Sequence, residues 1–170
     1  MGIEKPHFEL LEKTAKFEVR AYPSRLILET IENGSFKEAS NFAFRKLASY
    51  IFGKNEKKLS IPMTAPVEMQ MLSQKRWKMW FNVPKMYMKD HLPQSLDPTV
   101  KIEEIRMKKY GVKQFSNFCG EKKCQRLIQE LRHDLVAFGY KPIGIPIIAR
   151  YNPPWTLPFF RHNEIFIEVE

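Results

Sequence analysis

The strongest constraint on this chain is that it reads one pattern twice. Phe52-Gly53 recurs as Phe138-Gly139, 86 positions on, and Ile61-Pro62 recurs as Ile145-Pro146, 84 positions on. Ser35-Phe36-Lys37-Glu38 is a capping box, with Ser35 as N-cap and Glu38 reaching back towards it. Phe36, Ala39, Ala43, Leu47, Tyr50 and Ile51 follow at helical spacing, so a helix is expected over Ser35–Phe52, stopped by Gly53. Cys124, Leu127, Ile128, Leu131, Leu135 and Phe138 give a second helix over Glu121–Phe138, stopped by Gly139.

Strand-like runs flank each helix in the order ββαββ. In the first half they are Phe17–Tyr22, Arg25–Glu32, Pro66–Leu72 and Arg76–Val83. In the second they are Val100–Met107, Gly111–Phe118, Ile147–Tyr151 and Glu164–Val169. One half alone has too few strands to bury both a sheet and a helix. The expected fold is therefore α+β: a twisted antiparallel, barrel-like sheet of about eight strands with two flanking helices, from a duplicated ββαββ unit. A single domain over 1–170 is expected, with pseudo-repeats at about 16–83 and 100–169 and a proline-containing linker over 84–99.

The stretch Leu59–Met69, LSIPMTAPVEM, cannot easily be helical. Pro62 and Pro66 each remove a backbone donor and push the preceding residue towards extended geometry. With no Gly, His, Asp or Cys, it suggests a shaped apolar wall rather than a catalytic centre. The net charge of +9 is scattered in short pairs such as Lys57-Lys58 and Lys122-Lys123, with no Arg-rich stripe. That pattern argues against a nucleic-acid partner and leaves attraction of an anionic small molecule open. No apolar run approaches the ~18 residues of a membrane span, and MGIEKPHFELLEK has no apolar signal core. A cytoplasmic monomer is expected. Cys119 and Cys124 match no common zinc spacing and read as ordinary reduced cysteines.

FEVRAYPS, SYIFGKN, IPMTAPV and a Pro-aromatic loop running into RHNEIFIEV, in that order, resemble the SOUL/haem-binding-protein family over about Lys16 to Val169. The resemblance implies a twisted antiparallel sheet with two helices and an internal pseudo-two-fold. It also implies non-covalent binding of haem or another tetrapyrrole in an apolar cleft. One branch of the family carries an axial histidine directly after the EVR of the first strand; here that position is Ala21. The other branch relies on apolar contacts and basic residues, and its helical lysine matches Lys46. The same architecture resembles effector-binding domains of bacterial drug-responsive activators, in which an acidic residue in the cleft recognises cationic drugs.

The expected binding residues are Phe42, Lys46 and Ser49 on the first helix, with Trp155, Leu157, Phe159, Phe160 and His162 in the loop Asn152–His162. Phe42 and Lys46 are one turn apart and lie off the core stripe, where a ring can face a macrocycle and a cation a propionate. The loop NPPWTLPFFRH is apolar where loops are usually polar, so it covers either the protein's own sheet or a ligand. An apolar cleft between the first helix and this loop is expected. Of four histidines only His162 has a route to it. Trp77 and Trp80 should face opposite sides of one strand, one in the core and the other towards the cleft. Glu164 and Glu168 share a strand phase. There is no phosphate loop, nucleophile elbow or HExxH, so no catalytic residue and no resident metal are expected. The alternatives are a binding module for another amphipathic molecule and, less favoured, a small hydrolase.

Overall fold

The computed structural model describes residues 2–170. Nine strands and two helices follow in order: β1 (Glu9–Lys13), β2 (Glu18–Tyr22), β3 (Arg25–Asn33), α1 (Phe36–Ile51), β4 (Val67–Ser73), β5 (Arg76–Asn82), β6 (Lys101–Ile105), β7 (Lys108–Phe115), α2 (Glu121–Ala137), β8 (Pro142–Arg150) and β9 (Asn163–Val169). The class is α+β, and every strand pairing described below is antiparallel. The ninth strand is β1, whose sequence ELLEK is almost wholly exposed and carries no apolar alternation.

The chain forms two compact units. The first contains residues 2–6 and 24–106, with strands ordered β4-β5-β3-β6. Helix α1 lies on β3 and β5. Its start is fixed by Ser35, whose side chain accepts from the Glu38 N–H. Its end is fixed by Gly53, at φ 111° in the left-handed region that glycine tolerates. All six residues of the expected stripe are buried. On β5, Trp77 packs edge-on against Phe36 of α1, while Trp80 points to the opposite face and donates Nε1–H to Glu68 at 2.9 Å. Each tryptophan is 2% exposed, so the spacing argument held but neither ring lies open. The 84–99 stretch belongs to this unit. Tyr50 donates its hydroxyl to the Pro93 carbonyl at 2.6 Å, and the Glu56 N–H reaches the Gln94 carbonyl.

The second unit contains residues 7–23 and 107–170, with strands ordered β1-β2-β7-β9-β8 and α2 on β7, β8 and β9. Helix and strand approach most closely at Gly111, where an added Cβ would stand 2.5 Å from a Leu135 methyl. Five of the six stripe residues of α2 are buried; Phe138 is exposed at the C-cap yet meets Phe17 edge-on at 5.3 Å.

The leading strand of each repeat does not stay with its own repeat. β2, from the first, pairs with β7: Glu18 lies opposite Val112 and Tyr22 opposite Lys108. β6, from the second, pairs with β3: Lys101 lies opposite Glu29 and Ile105 opposite Arg25. Glu18 and Lys101 are 83 positions apart, as are Glu29 and Val112, so the two exchanges have the same register. The contiguous halves expected from the sequence are thus interleaved by one strand each.

Candidate functional site

Five of the expected binding residues come together on one loop of the second unit. Pro153, Pro154 and Pro158 limit its backbone freedom. Its neck is tied: the Tyr151 N–H donates to the His162 carbonyl at 3.1 Å, and Asn152 Oδ1 accepts from the His162 N–H at 2.5 Å. Arg161 reaches back to the carbonyls of Thr156 and Pro154. The apolar side chains are held outward. Trp155 is 83% exposed, Phe160 68%, Phe159 63% and Leu157 55%. Phe159 and Phe160 contact each other at 4.5 Å between centroids. Trp155 and Leu157 are exposed on the same short loop as this ring pair.

Phe42, Lys46 and Ser49 lie on α1, in the first unit. Phe42 is exposed, and Phe44 nearby meets Phe81 at 5.4 Å. Lys46 Nζ stands 2.6 Å from Glu32 and donates to Thr99 Oγ1 at 3.1 Å. An anion at Lys46 therefore competes with Glu32. Ser49 is half-buried. The Leu59–Met69 segment forms a wall of a small cleft in this unit, with Ile61, Pro62 and Thr64 facing Tyr50, Phe81 and Pro84. Its cavity volume of about 10 Å³ is far below the roughly 300–1,000 Å³ of ligand pockets.

Each unit also pairs an arginine with a buried glutamate, which patterning alone did not reveal. In the first, Arg25 forks onto Glu68 at 2.9 and 3.1 Å, and Glu68 also accepts from Trp80 and Asn82. In the second, Arg20 forks onto Glu164 at 3.0 and 2.7 Å, and also donates to Glu18 and Tyr22. The Phe8 ring lies 4.3 Å from the Arg20 guanidinium. Glu164 further accepts from Tyr151 and stands 3.2 Å from His162 Nε2. Burial alone would raise the Glu164 carboxyl, but hydrogen bonds from His162 and Arg20, the Arg20 charge and Tyr151 outweigh it and hold the group at about 2. Conversely, burial lowers Arg20, yet its bonds and attraction to Glu164 win and raise it. The sequence signal was available: Glu68 and Glu164 are charges inside apolar strand runs.

His162 is therefore engaged at Nε2 with Glu164, with its ring against Tyr151 at 4.8 Å. His7, His91 and His133 are exposed. Among the described residues, no group of three His, Cys, Asp or Glu side chains could hold a metal ion. No helix among them is long and apolar enough to cross a membrane.

The architecture places the chain among α+β proteins of known structure. The C-terminal domain of EcmrR is similar, with TM-score 0.70 over 91% of this chain and 97% of that one at 10% identity. A hydrolase from Listeria innocua is similar with TM-score 0.62 over 94% of each chain at 10% identity. At such identity the likeness is one of fold alone. The sequence itself is more specific: the SOUL heme-binding protein family matches residues 3–168, and the chain belongs to that family. Heme-binding protein 2 of Homo sapiens is 31% identical over 181 aligned positions, covering 98% of this chain and 86% of that protein.

Proposed function

We propose that this protein binds haem or a related tetrapyrrole reversibly and without covalent chemistry, through ring faces rather than an axial histidine. The observation that carries this reading is the closed loop presenting Trp155, Leu157, Phe159 and Phe160 to solvent. A planar macrocycle is a suitable cover for such rings, and burial at ~25 cal/mol per Å² gives most of the affinity. In the first unit, Phe42, Lys46 and Ser49 are a separate candidate set, with Lys46 the cation for a propionate. Iron ligation by His162 would require Nε2 to leave Glu164, and Ala21 offers no ligand. Glu68 and Glu164 are each already neutralised by an arginine, which favours an apolar macrocycle over the cationic ligand of an effector module.

Titration with ferric haem and with protoporphyrin IX, followed by the Soret band and tryptophan quenching, tests the reading. Similar affinities are expected, because ring-face contact does not use the iron. Replacing Phe159 and Phe160 together by Ser should weaken both. Failure of both ligands to bind refutes the proposal. A Soret shift abolished by His162→Ala refutes the absence of axial ligation.

A further inference from the structure

The sequence reads Cys119 and Cys124 as unremarkable thiols, but the fold brings them together. Cys119 precedes Gly120, the N-cap of α2, and Cys124 lies one turn into that helix. Their sulfurs are 3.2 Å apart, about 1.2 Å from the 2.05 Å of a disulfide. Cys124 is fully buried and Cys119 is half-buried. The two differ in burial and in electrostatic surroundings. The Cys124 hydrogen bond, with Arg150 and Lys123 nearby, lowers Cys119 despite its burial. The same contact and burial raise Cys124. One thiol is thus the natural nucleophile and the other the natural resolving group.

The segment carrying Cys119 also braces the aromatic loop. The Asn117 N–H donates to the Pro158 carbonyl at 2.9 Å, and Asn163 Nδ2 donates to the Asn117 carbonyl at 3.1 Å. The Arg161 guanidinium lies 5.1 Å from the Phe118 ring. Asn117 itself sits at φ 70°, in the left-handed region.

We propose that Cys119 and Cys124 form a peroxide-reactive dithiol site at the base of the aromatic loop, whose disulfide repositions that loop. The Cys119 thiolate attacks one oxygen of hydrogen peroxide. An S–O bond forms, the O–O bond breaks, and hydroxide leaves and takes a proton to become water. Cys124 sulfur then attacks the sulfenic sulfur of Cys119. The S–S bond forms, the S–O bond breaks, and the departing hydroxide takes the Cys124 proton as a second water. Two thiols are oxidised and one peroxide is reduced. Closing the bond draws Cys119 towards the first turn of α2 and pulls on the Asn117–Pro158 and Phe118–Arg161 contacts.

The test uses the whole reduced protein, treated with stoichiometric peroxide under native conditions. Intact mass should fall by two hydrogens, both thiols should disappear together, and dithiothreitol should restore them. Cys124→Ala should accumulate a sulfenic acid at Cys119 that dimedone captures. Cys119→Ala should leave Cys124 unreacted. Trp155 emission should shift on oxidation and return on reduction, since Trp77 and Trp80 are buried. Conversion of Cys119 to sulfinic acid with Cys124 still a thiol would overturn the site, as would wild-type protein that does not react. A disulfide that leaves Trp155 emission unchanged would overturn the coupling to the loop. Mass and thiol counts require no ligand, so they succeed or fail independently of the tetrapyrrole reading.

Discussion

Replacing Glu164 by Gln removes a charge while keeping the shape of the side chain and one carbonyl acceptor. The arginine it neutralises is 3% exposed and the carboxylate 1%, so water cannot replace the lost partner. Depression of the carboxyl from 4.5 to about 2 corresponds to about 3 kcal/mol at 1.36 kcal/mol per pKa unit. Breaking a buried ion pair from one side costs about 3–5 kcal/mol. Glu18, whose carboxylate lies 2.7 Å from Arg20, compensates in part, so the lower end, about 3 kcal/mol, is expected. Against a total of roughly 5–15 kcal/mol this moves the urea midpoint strongly with little change in slope. The double variant Arg20→Met/Glu164→Leu should recover much of the loss, because neither charge is then buried. The pH dependence has a definite sign. The folded carboxyl titrates below the unfolded one, so its contribution is full above about 4.5 and is lost as pH falls towards 2. Glu164→Gln should flatten that acid limb. A cost below about 1 kcal/mol, or a double variant equal to the sum of its singles, would refute the reasoning.

Gly111→Ala places a methyl against Leu135, which is fully buried, and should cost about 1–3 kcal/mol by overpacking, read from the urea midpoint. Ser35→Ala leaves the Glu38 N–H without its cap and should cost about 1 kcal/mol; hydrogen exchange should accelerate first in the opening turn of α1. Trp80→Phe keeps the ring in the core but removes the donor to Glu68, for an expected loss of about 1–3 kcal/mol by thermal or urea unfolding.

The helices were legible because their signals are local. A capping box, an apolar stripe and a terminal glycine each act within one turn or two, and Ser35, Leu47 and Gly53 do what their positions imply. Strands were found within a few residues of their ends, but not their partners. An apolar alternation says which side of a strand is buried, not which neighbour it meets. The exchange of β2 and β6 therefore left no mark in the pattern of either half. β1 was missed because its side chains are mostly exposed and show no apolar alternation; backbone pairing across a bulge between Leu10 and Glu12, with a hydrogen bond from Tyr140 to Glu12, holds it in place. The apolar loop was visible as an exception to loop composition. Its outward-facing rings were not, because the same letters serve equally well as a plug for the protein's own core. Arg20 and Arg25 look like surface charges beside a turn, and only their long-range partners reveal that Arg20 is buried and Arg25 partly so. The cysteine pair spans a helix cap at a spacing that matches no metal pattern, so the sequence reads as two ordinary thiols what the fold brings into contact.

The exchanged strands bear on how such a chain could arise. A single ββαββ repeat, made alone, lacks the neighbour for its second strand, which here always comes from the other repeat. Two copies lending each other their first strands would complete both sheets, in the manner of a domain-swapped dimer. Fusion of the two copies in one polypeptide fixes that reciprocal loan covalently. It follows that fragments cut within 84–99 should be poor folders apart and should regain structure when mixed, since each holds a strand that the other requires.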